Sequence, residues 1–509
     1  MIKKSVRNAL NRSSKIKKKL FSFNEIQHEI KESKKEKVRV LLVIYDNGSY
    51  ITWFPQGIAH IAAVLEQEDC HVDFYHQDMN HYPDEHLCHY LDTHEKYDMI
   101  GVSIIGGYWQ YARLCGLSEA IAKSKNRPNV YMIGGYGPTP EPKFFLLKTG
   151  ADICVMGEGE QTTRDLVNAY KRGGDYSHVK GIAIRDGSNV KINPSQPLIP
   201  ANKIDDQSII PLPAYHLMPM NYYRLLRMPH ASVYDFCMPA LSGRGCTFKC
   251  NFCYRMDTGF RPRSVEAIIE EVSILKKNHG ITYIAFSDDL LMVSEKRTVE
   301  IMEKFIAADL NIKFDCNGRL NYARPEILKL MKKAGCVYIN YGIEAYDNQI
   351  LKNMKKGLTT KMIDDGIAKT REVGITPGLN IIWGNIGENL ETLRKGVDFL
   401  KANSDGAEMR TIRPVTAYPG SPLYFHCIKE GLIDKDNPAE DFYERLHVNS
   451  DLLSTNLTDL SDEEFHKALL QANNELTKHY FEKQIESYKK QSEDLYLNRN
   501  VNFRGYRQS

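Results

Sequence analysis

Strand-like and helix-like segments alternate regularly along this chain, and this alternation restricts its fold more than any other feature. In the first block, short β-rich apolar runs are separated by segments with apolar residues at helical spacing, such as Ile58, Ile61 and Leu65. The runs are 38–45, 71–76, 98–105, 129–135 and 151–160. Because strands that alternate with helices form parallel sheets, this block predicts an open, doubly wound α/β domain of the flavodoxin-like kind.

The alternation resumes near residue 238 and continues through six more strand–helix units. The strand-like runs are 238–245, 281–289, 312–319, 336–345, 376–384 and 407–415. Six such units predict a partial (β/α)6 barrel. The chemistry of a barrel of this kind lies at the C-terminal ends of its strands.

This pattern divides the chain into five segments. They are a basic N-terminal tail (1–37), the doubly wound domain (38–180), a linker with a hairpin (181–235), the partial barrel (236–425) and a helical C-terminal region (426–509). The lysine-rich tail is typical of a solvated, partly helical segment. The alternative for the tail is a basic helix that makes peripheral contact with a membrane or binds a partner.

Charge and hydropathy exclude several classes of protein. The formal net charge is only +3, so no overall positive field indicates nucleic acid. No run of 18 apolar residues predicts a transmembrane segment, and the basic N-terminus lacks the apolar stretch of a secretory signal. An odd number of cysteines, eleven, without an export signal indicates a reducing cytoplasm rather than a disulfide framework.

Three of the cysteines lie within eight residues, directly after the first strand of the predicted barrel. Cys246, Cys250 and Cys253 have the spacing Cys-x3-Cys-x2-Cys. A structural zinc site uses four ligands, usually in two pairs, and no second pair is close in the sequence. Three close thiolates suit a four-iron cluster that keeps one iron open for an outside ligand. The alternatives are buried free cysteines, or zinc with a distant fourth ligand.

With Phe252 before its last cysteine, this motif resembles that of the radical S-adenosylmethionine (SAM) enzymes. The resemblance implies a [4Fe-4S] cluster on Cys246, Cys250 and Cys253, with SAM bound to the open iron. In that family, one electron from the reduced cluster cleaves SAM and yields a 5′-deoxyadenosyl radical inside a partial (β/α)6 barrel.

Segments at the ends of later barrel strands resemble the SAM-binding positions of the same family. The second strand is followed by FSDDLL, where the family has a Gly-Gly-Glu that binds the methionine amino group. The residues that the resemblance assigns to SAM are Phe252, Ser287, Asp288, Asp289, Asn317, Arg319 and Glu344. A helix N-terminal cap is the alternative for the two aspartates, and a structural salt bridge is the alternative for Arg319 and Glu344.

The first domain resembles the cobalamin-binding domain of one subclass of these enzymes. The similar segments are FPQGIAHIAAVLE (54–66), IGGYGPTPEP (133–142) and VMGEGEQT (155–162). Glycines in such segments let the backbone approach a bulky ligand closely. The residues assigned to cobalamin are Tyr108, Trp109, Gly134, Gly135, Gly157, Glu158 and Gly159. An ordinary dinucleotide site is a weaker alternative, because no Gly-x-Gly-x-x-Gly follows the first strand.

The loop after the first strand lacks the histidine that binds cobalt from below in many cobalamin domains. It reads YDNGSYITWFPQG and contains Asp46 but no histidine. We therefore expect cobalamin without a protein histidine on cobalt, resting on Tyr108 and Trp109, or on Trp53. Ordinary packing is the alternative for these aromatic residues.

The resemblance implies a cobalamin-dependent radical SAM methyltransferase that acts on an unactivated carbon of a small molecule or peptide. Within the subclass, the alternative is an oxidative cyclase or rearrangement enzyme similar to the anaerobic magnesium-protoporphyrin ester cyclase. A non-enzymatic cobalamin or redox sensor and an RNA-modifying enzyme fit less well, because the cysteine motif and the barrel pattern are intact and the C-terminal region indicates no RNA-binding module. We further expect an external electron donor of the flavodoxin or ferredoxin type, oxygen sensitivity, a cytoplasmic location and no nucleic-acid partner.

Overall fold

The computed structural model describes residues 37–48, 53–228, 230–256, 259–444 and 455–498. The basic N-terminal tail, apart from its last residue, lies outside these ranges, as does the side chain of Tyr108. Within the described ranges, no helix combines the length and the apolar character that a membrane crossing requires.

The first domain is built on a sheet of seven strands among the described residues. Its strands are β1 (Arg39–Ile44), β2 (His71–His76), β3 (Met99–Ser103), β4 (Val130–Gly134), β5 (Ile153–Val155), β6 (Ile182–Asp186) and β7 (Asn189–Ile192). They lie in the order β2-β1-β3-β4-β5-β6-β7, with β1 to β5 parallel and the last two antiparallel. The hairpin expected in a linker therefore extends this sheet, because pairing with β6 covers the otherwise open edge of β5.

Helices cover both faces of this sheet, as expected for a doubly wound domain. They are α1 (Gln56–Gln67), α2 (Gln77–Asn80), α3 (His86–Thr93), α4 (Tyr108–Lys123), α5 (Pro142–Thr149) and α6 (Gly159–Lys171). Successive side chains of a strand point to opposite faces. Val40 and Leu42 of β1 accordingly join the core with α1 and α6, whereas Leu41 and Val43 join the core with α3, α4 and α5.

The second sheet contains six parallel strands among the described residues and confirms the partial barrel. After the short helix α7 (Met220–Tyr223), its strands are β8 (Cys237–Ala240), β11 (Tyr283–Phe286), β12 (Lys313–Gly318), β13 (Cys336–Glu344), β14 (Thr376–Trp383) and β15 (Ile412–Pro414), which neighbour one another in that order. The intervening helices are α8 (Val265–His279), α9 (Glu295–Ala308), α10 (Pro325–Lys333), α11 (Asn348–Asn353), α12 (Thr360–Glu372) and α13 (Leu390–Ala402).

The run 238–245, expected as one strand, is divided in the structure. β9 (Gly243–Arg244) leaves the barrel sheet and pairs antiparallel with β10 (Arg261–Pro262). This two-stranded hairpin closes the base of the long loop that carries the three cysteines.

The C-terminal helices are α14 (Pro422–Lys429), α15 (Pro438–Glu444) and α16 (Asp462–Tyr496). The edge strand β15 is covered by α16: the side chain of Asn473 accepts from the backbone N–H of Ile412 at 2.8 Å and donates to its carbonyl oxygen at 2.9 Å. On the other side, Tyr443 of α15 stacks on Phe144 of the first domain, with ring centroids 5.6 Å apart. The C-terminal region therefore packs against both domains.

Candidate functional site

The cysteine loop lies at the C-terminal end of β8, at the mouth of the barrel. Its position is fixed by Asn251, a buried residue between the second and third cysteines. The backbone N–H of Asn251 donates to the carbonyl oxygen of Met354 at 3.0 Å, and its own carbonyl accepts from the N–H of Leu423 at 2.8 Å. Its side chain exchanges two hydrogen bonds with the amide of Asn385, at 3.2 and 3.1 Å. Sequence analysis missed this residue because its partners are distant in the chain.

The thiols of the loop differ in their electrostatics. A hydrogen bond from Cys253 and the positive charges of Lys356 and Arg319 lower the pKa of Cys250 below its usual value, against the effect of burial. The same hydrogen bond and burial raise the pKa of Cys253, and burial raises that of Cys246. The thiolate is the form that binds metal, so the loop favours this form first at Cys250.

Two cations lie against the aromatic residues of the cysteine loop. The guanidinium carbon of Arg319 lies 3.6 Å from the ring centroid of Phe248, and Lys356 Nζ lies 5.8 Å from that of Phe252. Arg319 Nη2 also donates to the backbone carbonyl of Lys356. Two positive charges therefore lie beside the loop, together with the carboxylates of Asp289 and Glu344, and the cations suit the negative charge of thiolates and of a cluster bound to them.

These residues fit a [4Fe-4S] cluster with three protein ligands. In such a cluster each thiolate binds a different iron, so the sulfur atoms need not converge on one point. Within the described ranges, no group of three or more His, Cys, Asp or Glu side chains is arranged to hold a single metal ion. Cys246, Cys250 and Cys253 would hold the cluster, and the two cations would offset part of its negative charge.

The three residues after β11 have different environments. Asp288 is buried and accepts from the backbone N–H groups of Ser242 at 2.6 Å and Gly243 at 3.3 Å, and burial raises its pKa to about 6. It therefore fixes the turn before the cysteine loop, and the alternative of a helix cap is wrong for it, since α9 is capped by Ser294. Asp289 is exposed, and together with burial of the thiol its negative charge raises the pKa of Cys246. Ser287 Oγ donates a hydrogen bond to Gln56 Oε1 of the first domain at 3.3 Å.

A ladder of asparagine side chains crosses three neighbouring barrel strands. Asn380 Nδ2 donates to Asn340 at 2.9 Å, Asn340 Nδ2 donates to Asn317 at 2.9 Å, and Asn317 Nδ2 donates to the backbone carbonyl of Asp288 at 2.8 Å. A backbone carbonyl only accepts, so it fixes the orientation of all three amides. Asn317 is therefore held at the barrel mouth by neighbours that sequence analysis did not identify.

Glu344 forms an ion pair with Lys356, with Oε1 and Nζ 2.9 Å apart and both side chains mostly buried. Its backbone has φ +70°, an uncommon conformation for a residue with a side chain, at a bulge in β13. A Cβ at the neighbouring Gly342 would overlap the Glu344 carboxylate, so this glycine lets the carboxylate keep its place. The structure thus shows the salt bridge expected as the alternative for Glu344, although the bridge lies beside the cysteine loop.

The glycines assigned to cobalamin line the C-terminal edge of the first sheet. At Gly135, φ is +98° and a Cβ would overlap the carbonyl oxygen of Ile104, so this glycine permits close contact between the loops after β3 and β4. A Cβ on Gly159 would lie 2.8 Å from Ile61 Cδ1, and one on Gly134 would lie 3.3 Å from the Val155 carbonyl oxygen. Close packing against backbone therefore accounts for Gly135, whereas a Cβ at Gly134 or Gly159 would need only a small shift of its neighbour. Gly157, with φ +76°, has open space around it.

Large apolar side chains stay exposed at the same edge. Ile105, Trp53 and Tyr136 are 55%, 45% and 44% exposed. Trp109, in contrast, packs on the loop after β1: its Nε1 donates to the carbonyl oxygen of Asp46 at 3.1 Å. These three exposed side chains form an apolar surface that a flat ligand would cover. Of the three, only Trp53 was predicted from the sequence to lie against cobalamin.

The first domain and the cysteine loop are joined by a cluster of buried ion pairs. Arg244, two residues before Cys246, contacts Glu158 at 2.8 Å and Glu160 at 2.5 Å. Arg261 of β10 makes two further hydrogen bonds to Glu158, each of 2.9 Å. Glu158, which the resemblance assigned to cobalamin, therefore orients the cysteine loop.

Comparison with known proteins matches two parts of the chain to known families. Residues 241–400 match the model of the radical SAM superfamily, and residues 47–167 match that of the B12 binding domain. An uncharacterized methyltransferase of Pyrococcus horikoshii is 30% identical over 62% of this chain and 66% of its own length. An anaerobic magnesium-protoporphyrin IX monomethyl ester cyclase of Rubrivivax gelatinosus is 28% identical over 60% of this chain and 54% of its own. The chain thus spans between about half and two thirds of these two relatives.

The fold is also that of a solved structure. The radical SAM methyltransferase TsrM from Kitasatospora setae, with cobalamin and a [4Fe-4S] cluster bound, superimposes with a TM-score of 0.63 at 18% identity, covering 77% of this chain and 78% of that one. This likeness supports the order of the two domains, a doubly wound sheet followed by a partial barrel.

Proposed function

Because this chain belongs to the radical SAM superfamily and carries a B12-binding domain ahead of its radical SAM domain, we propose that it is a cobalamin-dependent methyltransferase. Its substrate is a small molecule or peptide with an unactivated carbon to be methylated. When bound, the three groups supply radical formation from SAM at the [4Fe-4S] cluster and methyl transfer by cobalamin. An external one-electron donor of the flavodoxin or ferredoxin type would reduce the protein.

One observation carries this proposal: the cysteine loop and the C-terminal edge of the first sheet face each other. The ion pairs from Arg244 to Glu158 and Glu160 join the loop before Cys246 to the loop after β5. A second contact joins the loop after β4 to the far side of the mouth, where Gly420 packs between Tyr254 and Pro140. These contacts keep the cysteine loop next to the C-terminal edge of the first sheet, as transfer of a group between two cofactors bound there would require.

Individual residues have defined tasks in this proposal. Cys246, Cys250 and Cys253 would hold the cluster, and Phe252, between the last two in the chain, has its ring 5.8 Å from Lys356 Nζ. The barrel mouth, with Asp289, Asn317 and Glu344, would bind SAM. The exposed Ile105, Trp53 and Tyr136 would lie against cobalamin, and the protein would supply no histidine to cobalt.

The reaction products distinguish this function from its alternatives. Methyl transfer through cobalamin consumes SAM as the methyl donor, which leaves S-adenosylhomocysteine, and as the radical source, which leaves 5′-deoxyadenosine. We therefore expect both products when the anaerobically purified, cobalamin-loaded protein is incubated with titanium(III) citrate and SAM. The alanine variant of Cys246 should lose 5′-deoxyadenosine but keep S-adenosylhomocysteine. The variant Cys237→Ala, at a buried cysteine in β8 outside the loop, is the matched control and should keep both.

Other outcomes would contradict the proposal. An oxidative cyclase, which the 28% identical relative represents, would yield 5′-deoxyadenosine without S-adenosylhomocysteine. A cobalamin or redox sensor would yield neither product. Liquid chromatography with mass spectrometry quantifies both products in the same sample.

A further inference from the structure

We propose that Lys356 and Glu344 set the reduction potential of the cluster on the cysteine loop, Lys356 raising it and Glu344 lowering it. The inference rests on the proposed function, in that it requires a four-iron cluster on Cys246, Cys250 and Cys253. Both residues act on the cluster through space as tuning charges.

The geometry brings this pair beside the cysteine loop. Lys356 is only 7% exposed, its Nζ lies 2.9 Å from Glu344 Oε1, and it lies 5.8 Å from the ring centroid of Phe252. Phe252 lies between Cys250 and Cys253 in the chain, so the buried pair stands beside the segment that carries these two cysteines. The pair is thus placed to act through space on a cluster that these cysteines would hold.

The backbone around Glu344 is built to place this carboxylate. Glu344 has φ +70°, and the register of β13 against β14 shifts between Gly342 and Glu344. Strained backbone of this kind persists where the surrounding structure enforces it, often at functional sites. A side chain on Gly342 would overlap the Glu344 carboxylate and approach Lys356 Nζ to 3.0 Å, so the glycine leaves room for the pair.

Charge balance explains why such a pair would shift the potential. A [4Fe-4S]²⁺ core with three thiolates has a net charge of about −1, and it becomes −2 when it takes one electron from an external donor, which is oxidised by one electron. A cation nearby stabilises the reduced form more than the oxidised form, and an anion does the opposite. Because the pair is buried, solvent screens both charges weakly.

The sign of the shift in reduction potential distinguishes this proposal from a purely structural salt bridge. Loss of a structural bridge from either end would disturb the same loop in the same way. Under the proposal, Lys356→Met should make the cluster harder to reduce, Glu344→Gln should make it easier to reduce, and the double variant should return close to the wild type. Lys356→Arg keeps the charge and should keep the wild-type potential.

The test is a redox titration followed by electron paramagnetic resonance on the full-length protein with its cluster reconstituted anaerobically and without SAM. We expect Lys356→Met to lower the equilibrium constant for one-electron reduction about tenfold, a shift of about 59 mV for such a couple. Lys401→Met removes a lysine that pairs with Glu475 on α16 and should not shift the potential. If Lys356→Met assembles no cluster, the other two variants still test the inference: Glu344→Gln should raise the potential, and Lys356→Arg should leave it unchanged.

Two results would overturn the inference. Shifts of the same sign in Lys356→Met and Glu344→Gln, or no shift in either with an intact cluster, would show that the pair is structural while leaving the proposed function in place. A wild type that assembles no four-iron cluster under these conditions would overturn the proposed function, and the tuning role with it.

Discussion

Replacement of Arg244 by methionine should weaken the attachment of the cysteine loop to the first domain. The side chain is mostly buried and contacts two carboxylates, Glu158 and Glu160. Glu158 would keep its two hydrogen bonds from Arg261, whereas Glu160, itself buried, would lose its ion pair. Breaking a buried pair by removing one partner costs about 3–5 kcal/mol. Because Glu158 stays paired with Arg261, we expect a loss at the low end of this range, about 3 kcal/mol in the free energy of unfolding.

The assay is urea denaturation of the full chain at pH 7, combined with hydrogen exchange. Exchange should accelerate in both 156–162 and 243–256, because the ion pairs join these two segments. The control Arg164→Met breaks a comparably buried pair with Glu68 inside the first domain and should leave 243–256 protected. The double variant Arg244→Met/Glu160→Gln should recover part of the loss, since it removes the unpaired charge.

The effect of Arg244→Met on stability should depend on pH, because Arg244 changes the pKa of Glu160. Burial by itself would raise the pKa of Glu160, but the charge and hydrogen bond of Arg244 bring it below its usual value. A carboxyl with a lowered pKa in the folded state stabilises the protein above its unfolded pKa, about 4.3 for glutamate, and this contribution is lost as the pH falls through the folded value. In Arg244→Met, burial without the arginine leaves Glu160 with a raised pKa, so the difference in stability between wild type and variant should begin to shrink as the pH falls through that raised value, above about 4.3, and continue to shrink down to the lowered folded value of the wild type. A loss under about 1 kcal/mol at pH 7, or unchanged exchange in 243–256, would refute the reasoning.

Two further predictions concern single side chains. Electron paramagnetic resonance spectra of cobalt(II) in the cobalamin-loaded protein should show no nitrogen superhyperfine splitting. His81→Ala removes an imidazole 3.1 Å from Asp46 and should leave these spectra unchanged, whereas a splitting that disappears in this variant would identify a histidine ligand. Burial raises the pKa of Glu388 to about 8, and this carboxyl accepts from the N–H groups of Gly384 and Asn385. A carboxyl with a raised folded pKa costs stability from its unfolded pKa upward, so Glu388→Gln should match the wild type below about pH 4, exceed it increasingly as the pH rises to about 8, and keep a constant advantage above that. Glu388→Ala should lose about 1–3 kcal/mol, and thermal denaturation that ranks the two variants equally would contradict this.

Local patterns in the sequence predicted the architecture and the candidate ligands of a cluster. The alternation of β-rich and helical segments depends on periodicities of two and 3.6 residues, which any window of the chain displays, and it predicted both sheets. The spacing of Cys246, Cys250 and Cys253 is likewise local, and the structure places all three on one loop at the barrel mouth. The same local signal predicted the hairpin after β5 but could not show that it pairs with that strand.

The partners of polar side chains depended on the tertiary structure. Glu158 and Asp288 occur in segments that resemble cofactor-binding motifs, but their carboxylates bind Arg244 and the backbone of Ser242. Lys356 matched no motif, yet it pairs with Glu344 beside the cysteines. A motif specifies which residue types follow one another, whereas burial in a medium of low dielectric constant forces each charge to find a partner wherever the fold brings one close. The sequence therefore determined which elements form and which cysteines are the candidate ligands, and only the tertiary structure, within the barrel and between the two domains, decided which charges surround them.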